Sequence, residues 1–154
     1  MQFIDLKTQQ LEIREKIDQR IKKILDHGKY IMGPEVYELE ERLANYVNVK
    51  HCITCSSGTD ALLMPLMAWD IGPGDFVFTT PFTYIATAEI ISLLGATPIF
   101  VEIDKKSFNL SPMLLEKSIL EIIQKKQVIP KAVIVVDLFG LPANYIEIEK
   151  ICKK

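Results

Sequence analysis

A turn of small polar residues set between apolar segments is the place in this sequence best suited to hold an anion. Cys52-Ile-Thr-Cys-Ser-Ser-Gly-Thr-Asp-Ala-Leu62 predicts a short strand over His51–Cys55, a turn at Ser56–Gly58 and a helix from Thr59 to Trp69. The first backbone N–H groups of a helix lack internal partners, and the helix dipole is positive there. Gly58 lets an anion approach the backbone closely, and Thr59 adds a hydroxyl donor, which together make a phosphate site. The same residues also fit a ligand-free role, because Ser57 followed three residues later by Asp60 is a capping-box variant. The turn is neither GxxxxGK[ST] nor GxGxxG, so nucleotide-binding loops of those two kinds do not apply.

Pro81-Phe-Thr-Tyr84 follows the next predicted strand, at the same strand-to-helix edge as Gly58. Ligands of open α/β sheets bind outside the carboxyl ends of the strands. An aromatic ring at that edge stacks on a flat cofactor or packs a helix onto the sheet. Position alone favours packing for Phe82 and Tyr84. The other chemically suggestive spacing is Cys52-Ile-Thr-Cys55. A structural zinc site usually takes four ligands, and only one such pair is present beside His51. A redox pair would open a helix, whereas this one lies in a predicted strand. Both cysteines are expected to be small apolar strand residues. With Cys152 the count is three, which argues against a disulfide framework.

The elements that must position these residues alternate. Leu11 to Leu25 carries apolar residues near helical spacing, with Gly28 as a C-cap. Tyr30–Pro34 is a loop, and Pro34 opens a helix with Val36, Leu39, Leu43 and Val47 on one stripe. Strands are predicted at Phe76–Thr80, Thr97–Val101 and Ala132–Val136, and helices at Phe82–Leu94, after Ser111-Pro112, and over Pro142–Lys154. Pro65 inside the Thr59–Trp69 helix is expected to kink it. Alternating strands and helices mean an α/β fold with a largely parallel sheet. The last helix should lead into another strand, so the domain is expected to be unfinished.

The net charge of −2 calls for neither nucleic acid nor a solvating tail. Ile90–Val101 is the longest mainly apolar stretch, and Gly95 and Pro98 break it well short of the roughly 20 residues that span a membrane. Met1–Gln10 carries Asp5 and Lys7 and lacks the apolar region of a signal peptide, so a cytoplasmic location is expected.

Six blocks, in this order and spacing, carry a family likeness: Phe3-Ile-Asp-Leu6, Tyr30-Ile-Met-Gly-Pro-Glu-Val36, Ser57-Gly-Thr-Asp-Ala-Leu62, Gly72-Pro-Gly-Asp75, Phe82-Thr-Tyr-Ile-Ala-Thr-Ala-Glu89 and Val136-Asp-Leu-Phe-Gly140. The chain resembles the DegT/StrS-like sugar aminotransferases of pyridoxal-phosphate (PLP) fold type I. Within them it is most similar to enzymes that aminate UDP-2-acetamido-2-deoxy-3-oxo-glucuronate for bacterial surface polysaccharide, lipopolysaccharide included. The resemblance implies an α/β fold: the N-terminal part of the fold type I large domain, a mainly parallel sheet flanked by helices, incomplete. It implies a helical segment over residues 1–48 and a partial PLP-binding domain over 49–154. It implies that Gly58 and Thr59 hold the cofactor phosphate and that Tyr84 stacks on the pyridine ring. Tyr30 and Gly33 lie in a loop that approaches the substrate in the family. A UDP-sugar substrate, an amino donor such as glutamate and a homodimeric intact enzyme are implied as well.

The sequence also departs from the family. The family's Glu-Asp-Ala-Ala-Gln block, whose Asp pairs with the pyridine nitrogen, does not occur, and Asp137 belongs to an earlier block. No lysine matches by motif the one that holds PLP covalently. Transamination needs that amine to carry a proton and an acid near the ring nitrogen. The chain is therefore expected to be an enzyme fragment without activity alone, with an exposed strand edge that favours self-association. A sugar dehydratase relative and a non-catalytic interaction domain are the other readings.

Overall fold

A computed structural model describes residues 3–126 and 130–154; Met1 and Gln2, the first residues of the expected helical segment and signal-free N-terminus, lie outside it. The chain forms two compact units, Met1–Thr54 and Cys55–Lys154.

The first unit is a pair of helices, α1 (Leu6–His27) and α2 (Pro34–Tyr46). Asp5 caps α1 by accepting from the Thr8 N–H at 3.0 Å, and Gly28 ends it in the left-handed conformation at φ 65°. Pro34 opens α2, as its spacing predicts. Charge joins the two helices. Arg20 donates both guanidinium arms to Glu38 at 2.5 and 2.8 Å, Arg42 reaches the same carboxylate at 2.7 Å, and His27 meets Glu35 at 3.2 Å. Apolar packing contributes little, since α1 buries no residue and α2 only Ala44.

The second unit has a three-stranded parallel sheet in the order β2-β1-β3, with β1 Phe76–Thr79, β2 Thr97–Phe100 and β3 Pro130–Val133. Four helices flank it: α3 (Gly58–Ala68), α4 (Ala86–Leu93), α5 (Pro112–Lys126) and α6 (Tyr145–Cys152). All four residues of β1 are buried. Its alternation divides the core in two. Phe76 and Phe78 pack with Leu115, Ile148 and Val133 under α5 and α6. Val77 packs with Leu66, Ile90, Ile91 and Ala132 under α3 and α4. Helices on both faces are what a parallel sheet requires. At the β2 edge, Pro98 pairs with Val77, while the Thr97 and Val101 N–H groups turn inward to Asp75 and Thr79.

Three expectations are corrected. His51–Cys55 is extended but forms no strand, because no neighbouring strand pairs with it among the described residues; the Thr54 N–H bonds the Glu40 carboxylate at 2.9 Å instead. Cys52 and Cys55 are therefore free thiols outside any strand. The helix expected from Phe82 starts only at Ala86: the Thr80 hydroxyl accepts the Phe82 N–H at 3.2 Å and holds residues 81–85 as a loop. The last strand lies at Pro130–Val133 and not at Ala132–Val136. The helix α3 continues through Pro65, whose ring faces solvent.

The loops after the strands are tied together by a buried side chain. Asn109, 3% exposed, accepts the Leu138 N–H at 3.0 Å and donates to the Leu141 carbonyl at 2.8 Å. It thus bridges the loop after β2 to the loop after β3. Phe108 and Phe139 on either side of the bridge have φ 60° and 54°, a costly conformation for bulky residues.

Two predictions follow from these contacts. Asn109→Ala removes both hydrogen bonds of the bridge, one to a half-buried residue and one to an exposed one, and should lower stability by about 1–2 kcal/mol, read from denaturant midpoints. The second concerns acid. The hydrogen bond from Arg20, helped by the charges of Arg20, Arg42 and Lys23, lowers the Glu38 carboxyl from 4.5 to about 2. A lowered carboxyl stabilises above its ordinary value and loses that contribution as pH falls through the folded one. Protection of α1 and α2 amides should therefore hold at pH 5 and decline from about pH 4.5 towards 2, and Glu38→Gln should remove that step.

Candidate functional site

The site is assembled at one end of the sheet. The helix α3 feeds β1 through a tight turn in which Asp75 accepts the Gly72 N–H at 3.0 Å. The helix and the strand it feeds share one core cluster, and a short connection between a helix and a strand packed together turns the chain back, which directs the start of α3 towards the carboxyl end of β1. The chain leaves β1 through α4 to β2 on one side, then crosses through α5 to β3 on the other. The carboxyl end of β1 is thus a topological switch point, where open α/β sheets bind ligands.

Gly58 is the first residue of α3, and Ser57 is its N-cap. Ser57 Oγ accepts the Asp60 N–H at 3.1 Å, and the Ser57 carbonyl accepts the Ala61 N–H at 3.0 Å. The N–H groups of Gly58 and Thr59 make no hydrogen bond. Both residues are exposed, and a Cβ added at Gly58 would meet nothing within 4 Å. Two free N–H groups, the Thr59 hydroxyl and open space therefore coincide at the positive end of an eleven-residue helix. Against an anion stands the Asp60 carboxylate. Hydrogen bonds from the Ser56 and Ser57 hydroxyls lower its pKa, so it stays ionised and takes those two donors for itself. The cap predicted from Ser57 and Asp60 is thus present, and it leaves the donors of Gly58 and Thr59 unused.

Tyr84 lies in the loop between β1 and α4, 77% exposed, and its carbonyl accepts the Thr87 N–H at 3.1 Å. The ring packs no helix onto the sheet. Phe82 does pack: its ring lies 6.0 Å from Phe108 and 6.4 Å from Phe139, centroid to centroid. The three phenylalanines come from the loops after β1, β2 and β3, and with Asn109 they fix the rim around the switch point. Sequence reasoning missed Phe108, Asn109 and Phe139 as a set. Left-handed backbone at a phenylalanine has no sequence signature, and the Val136–Gly140 block marks only one of the three.

Gly58, Thr59 and Tyr84 thus belong to the second unit, whereas Tyr30 and Gly33 belong to the first. Tyr30 is exposed. Gly33 is buried at the start of α2, and a Cβ there would collide with the Lys29 carbonyl oxygen, which gives this glycine a steric reason to be glycine. Asp137 is occupied structurally, accepting from the Ala143 N–H at 2.9 Å and the Tyr145 hydroxyl at 3.0 Å. Burial, then the hydrogen bond and charge of Asp137, raise the Tyr145 phenol. A cavity of about 810 Å³ beside α5 and α6 has both of its lysines paired, Lys154 with Glu116 at 2.6 Å and Lys150 with Glu147 at 2.7 Å. No group of three or more His, Cys, Asp or Glu capable of holding a metal occurs among the described residues. No helix among them is long and apolar enough to cross a membrane.

Comparison with known proteins bears on the fold and the family. The chain is 50% identical over 154 residues to the UDP-2-acetamido-2-deoxy-3-oxo-D-glucuronate aminotransferase of Pseudomonas aeruginosa, covering all of this chain and 41% of that protein. A crystal structure of a DegT/DnrJ/EryC1/StrS aminotransferase from Brucella abortus superposes with TM-score 0.96 at 48% identity, over 99% of this chain and 41% of that one. A sugar aminotransferase from Streptococcus pneumoniae in its PLP form superposes with TM-score 0.72 at 31% identity, over 85% of this chain and 32% of that one. The chain thus spans about two fifths of the length of the first two. Residues 11–154 match a family model over nearly the whole chain, and this protein belongs to the DegT/DnrJ/EryC1/StrS aminotransferase family.

Proposed function

We propose that this chain is the cofactor-phosphate-binding part of a PLP-dependent aminotransferase. The enzyme acts on a UDP-linked 3-oxo-glucuronate sugar in surface polysaccharide synthesis, including that of lipopolysaccharide. Glutamate serves as amino donor, and the enzyme works as a cytoplasmic homodimer. Residues 1–48 are its N-terminal helical segment, and 49–154 are part of its large domain. The observation that carries the reading is the pair of unused N–H groups at Gly58 and Thr59, at the start of α3 and the switch point of the sheet.

The residues present fit the phosphate of the cofactor. The Gly58 and Thr59 N–H groups and the Thr59 hydroxyl would donate to its oxygens, and the missing Cβ at Gly58 leaves room for them. The exposed Tyr84 ring would stack on the flat pyridine of the cofactor. Thr80 and the phenylalanine rim hold the loop that carries Tyr84. Tyr30 and Gly33 contribute to the substrate side. Bound PLP supplies an electron sink beside the carbon that exchanges ketone for amine. None of the residues named here moves the proton of that exchange, so the chain orients the cofactor and leaves proton transfer to an amine outside these positions.

Two experiments test this. The first compares the 154-residue chain with the same chain joined to the remainder of the Pseudomonas relative. Borohydride reduction should fix one PLP per joined chain, with amination of the UDP-3-oxo-glucuronate sugar, and neither should occur with the 154-residue chain. Robust transamination by the short chain would overturn the assignment. The second is Gly58→Ala in the joined chain. Its Cβ enters the phosphate space without touching protein, so Tm should stay within about 1 °C while the Kd for pyridoxamine phosphate rises roughly tenfold. An unchanged Kd would remove Gly58 from the site.

A further inference from the structure

The start of α3 already carries an anion of the protein's own. Asp60 is the third residue of the helix, in the same turn as Gly58 and Thr59. Its side chain is half-buried, whereas Ser56 to Thr59 are exposed. One carboxylate oxygen, Oδ2, accepts from the Ser57 hydroxyl at 2.9 Å and also from the Ser56 hydroxyl. The Ser57 oxygen in turn accepts the Asp60 N–H at 3.1 Å. Both hydroxyl protons of the turn are thus aimed at Asp60 and away from the open space outside Gly58. These hydrogen bonds lower the Asp60 carboxyl below its ordinary value, and it forms no ion pair among the described residues. The sequence has no lysine or arginine from His51 to Asp104. The charge of Asp60 is therefore stabilised by the same means that would stabilise a bound phosphate: hydroxyl donors and the positive end of a helix.

We propose that Asp60 is an internal competitor of the cofactor phosphate: it occupies the two serine hydroxyls and the field of the helix start while the position is empty, and it weakens the binding of a phosphate there. The inference rests on the reading of Gly58 and Thr59 as the phosphate position. Two negative charges within one helical turn repel each other, and a hydroxyl that serves one acceptor is withheld from the other. The carboxylate therefore acts in opposite senses on the two states. It stabilises the empty helix start, as an acidic residue in a first turn does. It destabilises the filled one. A residue that only caps the helix would act in one sense, because loss of the cap would loosen the turn and weaken both states.

The test titrates the 154-residue chain with pyridoxamine phosphate, followed by the amide shifts of Gly58 and Thr59, and measures the Tm of the ligand-free chain. Asp60→Asn keeps an acceptor for the serines and removes the charge. It should lower the ligand-free Tm by about 2 °C and tighten the Kd by roughly threefold to tenfold at low salt. The gain should shrink by about half or more at roughly 0.5 M sodium chloride, where charges are screened. Asp60→Ala, which releases both hydroxyls, should move Tm and Kd in the same directions, so the result does not hang on one variant. Pyridoxamine without its phosphate should show no gain in either. If the wild-type chain binds at Gly58 and Thr59 and both variants bind equally or more weakly, Asp60 is no competitor, and the phosphate reading stands without it. If those two amides stay unmoved in the wild-type chain and in both variants, the phosphate position and its competitor are removed together.

Discussion

Burial of one four-residue strand on both of its faces is the constraint from which the rest of the second unit follows. Every residue of β1 is out of solvent, so a helix pair is needed above Val77 and another below Phe76 and Phe78. Parallel pairing forbids tight hairpins and makes each connection a helix. The first connection carries the chain from β1 to β2 on one side and the second carries it from β2 across to β3 on the other, so the carboxyl end of β1 is where the direction of winding switches. The start of α3 and the Tyr84 loop are at this end because of the crossings; their own sequences do not put them there.

The loops around the switch point are held together for a different reason. One buried amide joins two loops that are 29 residues apart in the chain, and a cluster of three rings joins a third loop to them. The cost appears in the backbone, where Phe108 and Phe139 both sit at positive φ. Such a cost persists where surrounding contacts over-determine the conformation, and the Asn109 bridge supplies two of them. The proposed anion site at the start of α3 needs no such device. Its free donors are a general property of a helix start whose cap uses only the third and fourth N–H groups.

Much of this was legible in the sequence because the signals were local. The Ser57 cap, the Gly28 stop and the Pro34 and Pro112 starts are each set by one or two residues, and all appear where expected. The alternation of strand and helix was equally plain. What was not legible depends on partners far along the chain. His51–Cys55 has strand composition but no ladder to join, and composition carries no information about the neighbour. The delayed start of α4 depends on the Thr80 side chain competing for a backbone donor. Tyr84 and Gly58 could be singled out at one strand-to-helix edge, but only the family likeness gave Tyr84 a role other than packing.

Pro98 gives the sheet a direction of growth. In a parallel ladder alternate N–H groups point to opposite sides, and in β2 those of Thr97 and Val101 face β1. Pro98 occupies a position where the donor would point outward, and proline has none. A further strand cannot dock cleanly on that side. At the other edge the Ile134 N–H faces β1 through Phe78, so the neighbouring Val133 N–H points outward, while Pro130 opens β3 without a donor of its own. Among the described residues β2 thus loses an outward donor in mid-strand and β3 only at its start, so a strand added to the sheet, native or misfolded, pairs more readily along β3.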